Sequence, residues 1–558
     1  MKIYTLLILN LFILNIFSLN PKKNLREEVI DDPILKMSEI EYSNNNGVFE
    51  IKSDSVITQI SWTKKDSYKY NYLLGVFEGA SDSSFSDAVP IAIIKEDGSL
   101  NEVNYVDVKV PTVYKYIRYI APNKNNSDIS PIKLFGESKS ESNANEKKDF
   151  QVTNLPLVSI RTDGNAFPTS KEQEINCKVT ITNQGKIETK SQSATIKVRG
   201  KSTSNASDKK PYRIKFNEAQ QVLGLSGKYK KWTLIANFYD KALMRNAIAF
   251  KISEIMQFEY TPRCKPVDVI LNGDYRGNYY LCDQMEVGVD RINIDKMEKT
   301  DVTEPNLSGG YFLEVDGGGS FYGYSSFKTN KGIQWKVNYP DEDDITQEQV
   351  NYISAKVNKF ESEVYSGVFD SLDLDSYSKF FLVEEFCGDP DAVWSSCYFI
   401  KKRNDDKFYF GPVWDFDLGF DNDQRLTPTN DKPQFAFTYG ASSGTMMDFT
   451  KTLVGHKTVI EHIQKTWQKL TSSGFNENAL VQFIEQLKKD IQESSDLNYM
   501  KWDNVKKQSS PWGDWGMMPG FGRIQENFED GVSRLKEYVK KRFSSLGNLI
   551  NNAVSSAH

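Results

Sequence analysis

The chain has 558 residues, too many for a single hydrophobic core, so roughly two or three domains are expected. Its net charge of −6 gives no support for binding to nucleic acid or to an anionic membrane surface. With only three histidines, the sequence has little material for a histidine-based zinc site or a Ser-His-Asp triad.

Residues 1–18 have the layout of a secretory signal peptide. A lysine at position 2 precedes an apolar run from Ile3 to Phe17, and the small residue Ser18 follows. The alternative is an uncleaved membrane anchor, but the run is shorter than the ~20 residues that a spanning helix needs. The sequence therefore predicts a secreted protein, extracellular or at the cell surface, with no membrane span after signal cleavage.

Residues 30–137 contain short apolar stretches between turns rich in Ser, Asp and Asn, a pattern typical of a β-sandwich. Strands are predicted over Val48–Ile51, Val56–Trp62, Tyr72–Phe77, Ile91–Ile94, Val103–Val110, Tyr114–Ile120 and Ile132–Phe135.

Three stretches of this domain resemble the galactose-binding-like (discoidin-type) sandwich. They are Leu74-Gly-Val-Phe-Glu-Gly-Ala-Ser-Asp, Tyr116-Ile-Arg-Tyr-Ile and Ile132-Lys-Leu-Phe-Gly. The resemblance implies that loops at one end of the domain bind a glycan. Loop aromatics that could stack on a sugar ring are Tyr68, Tyr70 and Phe85. The alternatives are packing roles for these rings and a purely structural accessory domain.

Residues 138–154 are predicted to be a linker, because charged and small polar side chains fill the stretch before Phe150. None of the five cysteines that follow lies in a C-x-x-C pair, so no metal knuckle is predicted. An oxidising destination permits up to two disulfides, of which Cys264–Cys282 and Cys387–Cys397 are the simplest. Three sequons are compatible with a glycoprotein, and chance accounts for any one of them equally well: Asn125, Asn205 and Asn306.

The region 155–549 is mixed α/β, with strands first and helices later, which favours a bilobal enzyme with a cleft. Predicted strands are Val158–Arg161, Ile175–Thr182, Ser193–Arg199, Tyr212–Phe216, Trp232–Ala236, Pro266–Asn272, Gly277–Leu281 and Gly310–Glu314. Predicted helices are Lys241–Met256, with Asp240 as N-cap, then Thr346–Tyr365, Leu372–Phe386, His456–Thr471, Glu477–Ser494 and Glu526–Asn548.

Basic residues surround a turn in the first half of this region. The strand ending in Val198-Arg-Gly-Lys-Ser-Thr leads through a polar loop into Lys209-Lys-Pro-Tyr-Arg-Ile-Lys-Phe. A strand, a small-residue turn and a basic strand form a generic layout for cradling phosphates, and such turns are also common without that role. Lys215 lies between apolar neighbours, so it either extends to solvent or faces a charged partner. Lys210 precedes Pro211 and is also explained as a solvated hairpin end.

Two acids follow the hairpin centred on Asn272-Gly-Asp. Either Asp283 or Glu286 could pair with the strand lysine and position it. The alternative is a surface carboxylate, which is slightly favoured for Glu286.

Two carboxylates, Asp415 and Asp417, flank Phe416 at the end of an apolar run. Alternation along a strand would place both on one face, where like charges repel unless a cation lies between them. Oxygen ligands suit a hard ion such as Mg²⁺. The alternative is a capping role for one and solvation for the other. Pairing of the strands Cys397–Ile400 and Phe408–Trp414 would bring Asp391 to the same end.

The chain resembles the CotH kinase family, the spore-coat-protein-H-like atypical secreted kinases, over roughly residues 155–545. The stretches that carry the resemblance are Val198-Arg-Gly-Lys-Ser-Thr, Lys209-Lys-Pro-Tyr-Arg-Ile-Lys, Trp232-Thr-Leu-Ile-Ala-Asn-Phe-Tyr-Asp-Lys-Ala-Leu-Met-Arg-Asn, Leu271-Asn-Gly-Asp-Tyr-Arg-Gly-Asn-Tyr-Tyr-Leu, Arg291-Ile-Asn-Ile, Asp391-Ala and Gly411-Pro-Val-Trp-Asp-Phe-Asp-Leu-Gly-Phe. The implied fold class is multidomain: an N-terminal all-β sandwich followed by a bilobal α+β kinase-like domain.

The resemblance implies an ATP-dependent protein kinase that uses Mg²⁺ or Mn²⁺ and phosphorylates Ser/Thr of exported or surface proteins. Asp391 is then the catalytic carboxylate, and Asp417 with Asp415 holds the metal. Lys215 is preferred over Lys210 as the phosphate-binding lysine. Arg199 and Asp283 complete the predicted cofactor-binding set.

Three departures from the family pattern put the expected catalytic rate in question more than nucleotide binding. The turn after Arg199 is poor in glycine, Asp283 stands where the family usually shows Glu, and no Asn precedes Ser396 as a second metal ligand. The alternative function is therefore a catalytically weak adhesin or scaffold of kinase-like fold with a glycan-binding module. A glycoside hydrolase using Asp415 and Asp417 fits less well, because the basic strands suit phosphate better than sugar.

Overall fold

A computed structural model describes the chain over thirteen stretches. They are residues 38–65, 71–110, 112–122, 129–138, 152–184, 186–200, 202–225, 227–315, 323, 325–423, 435–438, 445–502 and 527–558. The predicted signal segment 1–18, most of the linker 138–154, and Tyr68, Tyr70 and Asn125 lie outside these stretches.

Nine strands form two antiparallel sheets in the described part of residues 38–138. They are β1 Ser38–Glu39, β2 Tyr42–Asn45, β3 Val48–Ile51, β4 Ser55–Lys64, β5 Val76–Ala80, β6 Val89–Ile93, β7 Val103–Asp107, β8 Tyr116–Ile120 and β9 Ile129–Ser138. The strand orders are β1-β9-β4-β7 and β2-β3-β8-β5-β6. The predicted β-sandwich is confirmed. Strand β5 begins later than predicted because Leu74, at φ 68°, interrupts the extended chain.

Phe85 is a core residue of the sandwich. It is 1% exposed, and the Arg118 guanidinium lies 4.0 Å from its ring centroid. A ring in this position has no face left for a sugar, so of its two predicted roles the structure supports packing.

Seven strands form a closed barrel after the sandwich. They are β10 Leu157–Thr162, β11 Ile175–Asn183, β12 Lys186–Val198, β13 Tyr212–Gln220, β14 Tyr229–Ile235, β15 Cys264–Leu271 and β16 Asp274–Asp283. The order is β10-β11-β12-β13-β14-β16-β15, closed by the parallel pair β10 and β15. The interior is filled by alternate apolar residues such as Val179, Ile196 and Ile214.

Two helices interrupt the barrel strands. Helix α1, Ser202–Ala206, occupies the turn between β12 and β13, and helix α2, Arg245–Ile255, lies between β14 and β15. Helix α2 starts four residues later than predicted, because Leu243 has a left-handed φ of 56°. One face of α2 packs into the core of the following lobe.

The second lobe combines a five-stranded sheet with six further helices in its described part. The strands are β17 Tyr311–Val315, β18 Ser326–Lys328, β19 Gln334–Tyr339, β20 Cys397–Lys401 and β21 Phe408–Phe410, in the order β18-β19-β17-β20-β21. The helices are α3 Gln347–Tyr365, α4 Leu374–Cys387, α5 Thr445–Gly455, α6 Lys457–Ser472, α7 Glu477–Lys501 and α8 Phe528–Ser556. The two-lobed α+β architecture after an N-terminal sandwich is confirmed. None of the helices in the described stretches is both long and apolar enough to cross a membrane.

The sandwich and the barrel share packed surface. Glu78 of β5 is fully buried and pairs with Arg118 of the sandwich at 2.8 Å and with Arg161 of β10. Leu157 and Tyr275 of the barrel and Leu497 of α7 join the hydrophobic core of the sandwich. The N-terminal domain is therefore docked on the kinase-like domain through buried contacts.

All five cysteines are described, and all are free thiols. Cys264 and Cys282 are opposite one another on β15 and β16, as their predicted pairing requires, yet they are not bonded. Cys387 and Cys397 are buried in the core of the second lobe, where they pack as small apolar side chains. The permitted disulfides are absent from this structure.

Glu361 of helix α3 is a buried carboxyl group. It accepts a hydrogen bond of 2.8 Å from the indole N–H of Trp335, and burial raises its pKa from 4.5 to about 7. A raised folded-state pKa means that the stabilisation is full below pH 4.5 and is lost as pH rises through 7.

We expect the protein to lose on the order of 3 kcal/mol of stability between about pH 5 and pH 8 from this group. The midpoint of thermal unfolding, followed by tryptophan fluorescence, measures the loss. In Glu361→Gln this part of the pH dependence should vanish. A pH profile identical to that of the wild type would contradict the assignment.

Candidate active site

The loop that carries Asp415 and Asp417 follows the last strand of the second-lobe sheet. Strand β21 ends at Phe410, so the prediction that both carboxylates lie on one strand is wrong. The strand ends because Gly411 has φ 111° and Pro412 offers no N–H to the ladder. Asp415 has φ 76° and is exposed, whereas Asp417 is 8% exposed.

Five aspartates interact electrostatically at this loop, and we call them the acid cluster: Asp240, Asp389, Asp391, Asp415 and Asp417. The pKa of Asp417 lies well above its usual value, first because of burial and then because of the negative charges of the other four. The structure thus brings together the three acids predicted from sequence and adds two more. Such a group of like charges is stabilised by a cation.

The loop is held by side chains from α2 and the segment before it. Asn246 accepts a hydrogen bond of 2.8 Å from the N–H of Phe416, and Arg245 donates one of 3.2 Å to the carbonyl of Gly419. Asn422 donates to the carbonyls of Tyr239, at 3.0 Å, and Asp417, at 2.6 Å. The first lobe therefore fixes the backbone around Asp417.

Asp240 anchors the start of α2. Its carboxylate accepts hydrogen bonds from the N–H groups of Ala242, Met244 and Arg245 at 2.7–2.9 Å and pairs with the buried guanidinium of Arg245. The predicted N-cap assignment is wrong, because the helix begins at Arg245 and its N-cap is Met244, although the Asp240 carboxylate still accepts from the N–H groups at the start of the helix. Next to it, burial and the charges of Asp417 and Asp415 raise the pKa of Tyr239 to about 12.

Arg199 is a first-lobe cation that interacts electrostatically with Asp415 of the acid cluster. Its guanidinium lies 5.3 Å from the ring centroid of Trp414, and Trp414 stacks on Phe250 of α2. Burial lowers the pKa of Arg199, and the charge of Asp415 opposes that shift. A cofactor-binding role for Arg199 stays a prediction.

Lys215 lies on the outer face of the barrel. Its neighbours Ile214 and Phe216 point into the apolar interior, so alternation along β13 turns Lys215 outward, where it is exposed. Within the described stretches it forms no ion pair or side-chain hydrogen bond. The structure therefore does not bring Lys215 to the acid cluster. Lys210 donates a hydrogen bond of 2.7 Å to the carbonyl of Ser204, which closes the turn containing α1.

Lys209 was not singled out by the sequence pattern. Its side chain is 2% exposed, its ammonium lies 5.1 Å from the ring centroid of Tyr279, and it has no hydrogen-bond acceptor among the described residues. Its pKa lies well below the usual value because of burial and the nearby Lys241, while Asp240 favours its charge. Lys209 and Lys210 both precede β13, so strand periodicity could not have separated them.

The carboxylate of Asp283 is engaged by hydrogen bonds and an ion pair within the protein. It is fully buried and accepts hydrogen bonds from the N–H of Arg263, at 3.2 Å, and the hydroxyl of Tyr260, at 3.4 Å. Its ion pair is with Arg291 at 3.8 Å, rather than with a lysine of β13. Glu286, which also pairs with Arg291, contacts a strand lysine, but it is Lys231 of β14 at 3.5 Å.

A divalent metal fits the donor set of the acid cluster. Among the described residues, no three His, Cys, Asp or Glu side chains are close enough to hold a metal ion alone. Mg²⁺ in phosphoryl-transfer sites usually takes one or two carboxylates and fills its other positions with water and phosphate oxygens. Asp417 and Asp415 are carboxylates of that kind.

One solved structure that is similar to part of the chain is CBM62 from Clostridium thermocellum Xyl5A, at 31% identity over 16% of this chain and 67% of that chain. Its TM-score of 0.15 is too low to indicate a common overall fold. No curated protein matches the chain. A family model described as CotH kinase protein matches residues 196–546, well over half of the sequence. The chain belongs to the CotH kinase family.

Proposed function

We propose that this protein is a secreted kinase that transfers the γ-phosphoryl group of ATP to Ser or Thr hydroxyls of exported or surface proteins. The observation that carries the proposal is the acid cluster. Asp417 is almost fully buried among four other aspartates, and Arg199 of the other lobe interacts electrostatically with Asp415. A metal-bound triphosphate, with one cationic and one anionic part, complements both sides.

The proposal assigns a role to each of the chain's own residues at the site. Asp417 and Asp415 would bind Mg²⁺ or Mn²⁺, which supplies neutralisation of the phosphate charge. Asp391, half-buried beside them, accepts the proton of the acceptor hydroxyl as that oxygen bonds to phosphorus and the bond to ADP breaks. Arg199 stabilises the charge on the transferred group.

Label transfer from γ-labelled ATP to a generic basic protein substrate, and to the chain itself, tests the proposal. We expect transfer with Mg²⁺ or Mn²⁺ and loss of transfer after addition of excess EDTA, because the carboxylates cannot accommodate the triphosphate without a cation. Transfer that persists in EDTA, or a complete lack of transfer with both metals, would contradict the proposal.

Lys209 supports phosphate binding better than Lys215 does. A buried ammonium without an acceptor is unfavourable unless an anion completes it. The electrostatic partner that Lys209 shares with the acid cluster is Asp240. We therefore include Lys209 among the nucleotide-binding residues and retain Lys215 as the prediction to be compared with it.

Lys209→Met is expected to raise the KM for ATP or lower kcat by about 10–100-fold, because one charge-assisted contact to phosphate is lost. Lys215→Met, at an exposed position, is the matched control and should behave like the wild type. Steady-state kinetics with both variants decides between them. Loss of activity in Lys215→Met alone would restore the sequence-based assignment.

A second function is a kinase-like scaffold with little turnover, displayed outside the cell, with a sandwich that binds a glycan. The observation that favours it is the commitment of Asp283 to Arg291 and the outward orientation of Lys215. Thermal-shift measurements discriminate, because a ligand of the native state must stabilise it. Metal-dependent stabilisation by ATP argues against a pure scaffold, and stabilisation by sugars alone favours it.

A further inference from the structure

Three carboxyl groups are buried where α4 ends and the turn carrying Asp391 begins. Glu384, Glu385 and Asp389 are 6%, 2% and 4% exposed. Burial of three carboxylates in a small volume is very unfavourable unless each is paired or protonated. The partners or protons that offset the cost of burying each carboxyl group therefore affect the turn that carries Asp391.

Glu385 is compensated by fixed partners. Arg542 of α8 pairs with its carboxylate at 3.0 Å, and the N–H groups of Ala436 and Phe437 donate to it at 2.7 and 3.0 Å. The guanidinium of Arg542 also donates to the carbonyl of Glu385 at 2.8 Å. This cation is thus engaged by Glu385.

Glu384 is compensated differently. It forms no ion pair within the described part of the chain, and its side chain hydrogen-bonds to that of Asp389. Two ionised carboxylates have no hydrogen to share, so one of the two must carry a proton. Burial and the adjacent Asp389 both raise the pKa of Glu384.

The surroundings of Glu384 are apolar. It borders a cavity of about 20 Å³ whose lining is mainly aromatic and aliphatic and includes Phe380, Phe381, Val393 and Phe410. In that environment a neutral carboxylic acid is far less costly than a carboxylate.

Asp389 connects this acid to the turn. Its carboxylate accepts a hydrogen bond of 3.1 Å from the N–H of Asp391, and its own N–H donates to the carbonyl of Glu384 at 3.2 Å. Gly388 between them adopts φ 59°, which allows the chain to reverse at the end of α4. The backbone of Asp391 is therefore tied to Glu384 through Asp389.

We propose that Glu384 is a protonated positioning residue that donates a hydrogen bond to Asp389, and that this carboxyl pair fixes the turn that presents Asp391. The role in presenting Asp391 rests on the proposed kinase function. A neutral Glu384 also spares the acid cluster one further negative charge, since Asp389 already acts on Asp417.

Two substitutions separate the hydrogen bond from simple packing. Glu384→Gln keeps the shape and supplies an amide N–H to Asp389, whereas Glu384→Leu keeps the bulk without a donor. We expect Glu384→Gln to retain most of kcat and Glu384→Leu to lose about 10–100-fold in kcat with the KM for ATP unchanged, as for other residues that orient an active group. Equal kcat in both variants and the wild type would overturn the positioning role.

Two measurements on the full chain do not depend on kinase activity. The infrared difference spectrum between wild type and Glu384→Gln at neutral pH should show the C=O stretch of a carboxylic acid, which ionised carboxylates lack. Glu348→Gln, on the first turn of α3, is the control and should not. Amide hydrogen exchange around Asp391 should accelerate in Glu384→Leu. A missing acid band, or unchanged hydrogen exchange, would refute the carboxyl pair even if the protein is an active kinase. Conversely, the acid band and the faster exchange can both be observed even if the protein has no kinase activity.

Discussion

Replacing Asp417 with asparagine is expected to abolish phosphotransfer and to raise the thermal stability of the metal-free protein at the same time. Under the proposed function the variant loses a metal ligand, and removal of one preorganised electrostatic group from an active site typically lowers kcat by about 10²–10³-fold. The same change removes a buried carboxyl group whose ionisation is opposed by burial and by four neighbouring aspartates. A substitution that raises stability while it lowers activity is typical of active sites.

Label transfer from ATP and thermal unfolding without metal measure the two effects on one preparation. Asp375→Asn, an exposed aspartate in the first turn of α4, is the matched control and should change neither. Metal-dependent stabilisation by ATP should also disappear in Asp417→Asn. Equal transfer by wild type and Asp417→Asn would remove the basis for assigning metal binding to this loop.

Arg245→Met is expected to cause the largest loss of stability. Arg245 and Asp240 are both fully buried, and they pair with each other. Removal of the guanidinium leaves the charge of Asp240 without its partner, which typically costs about 3–5 kcal/mol. The hydrogen bond to the carbonyl of Gly419 is lost too, so the loop around Asp417 should loosen.

Urea denaturation and the thermal midpoint measure this loss. The double variant Asp240→Asn/Arg245→Met should recover much of it, because no uncompensated charge remains, although activity should stay low. If the double variant is no more stable than Arg245→Met, the cost lies in packing rather than in the buried charge.

The sequence pattern predicted much of the site because its acids come from adjacent structure. Asp391 precedes β20 and Asp417 follows β21, and these strands pair as expected from the short turn between them. Asp240 joins from the other lobe, and local periodicity gives no signal for such a distant contact. The strand assumed for Asp415 failed because Gly411 and Pro412 end β21 before it.

The basic side of the site was harder to predict. Strand β13 was located correctly, but the alternation of Ile214 and Phe216 into the barrel turns Lys215 outward. The partner of a lysine depends on which face is covered, which one strand alone does not reveal. Helix α1 was missed because five residues are too few for a helical period to show.

The buried pairing of Glu78 with Arg161, together with the hydrophobic core shared by sandwich and barrel, has a geometric consequence. These contacts prevent the amino-terminal module from moving independently of the barrel. If the module binds a glycan, as in the proposed scaffold function, the bound molecule would be held at one distance and in one direction from the acid cluster. Acceptor hydroxyls on such a molecule would be selected by their separation from the bound glycan as well as by local sequence.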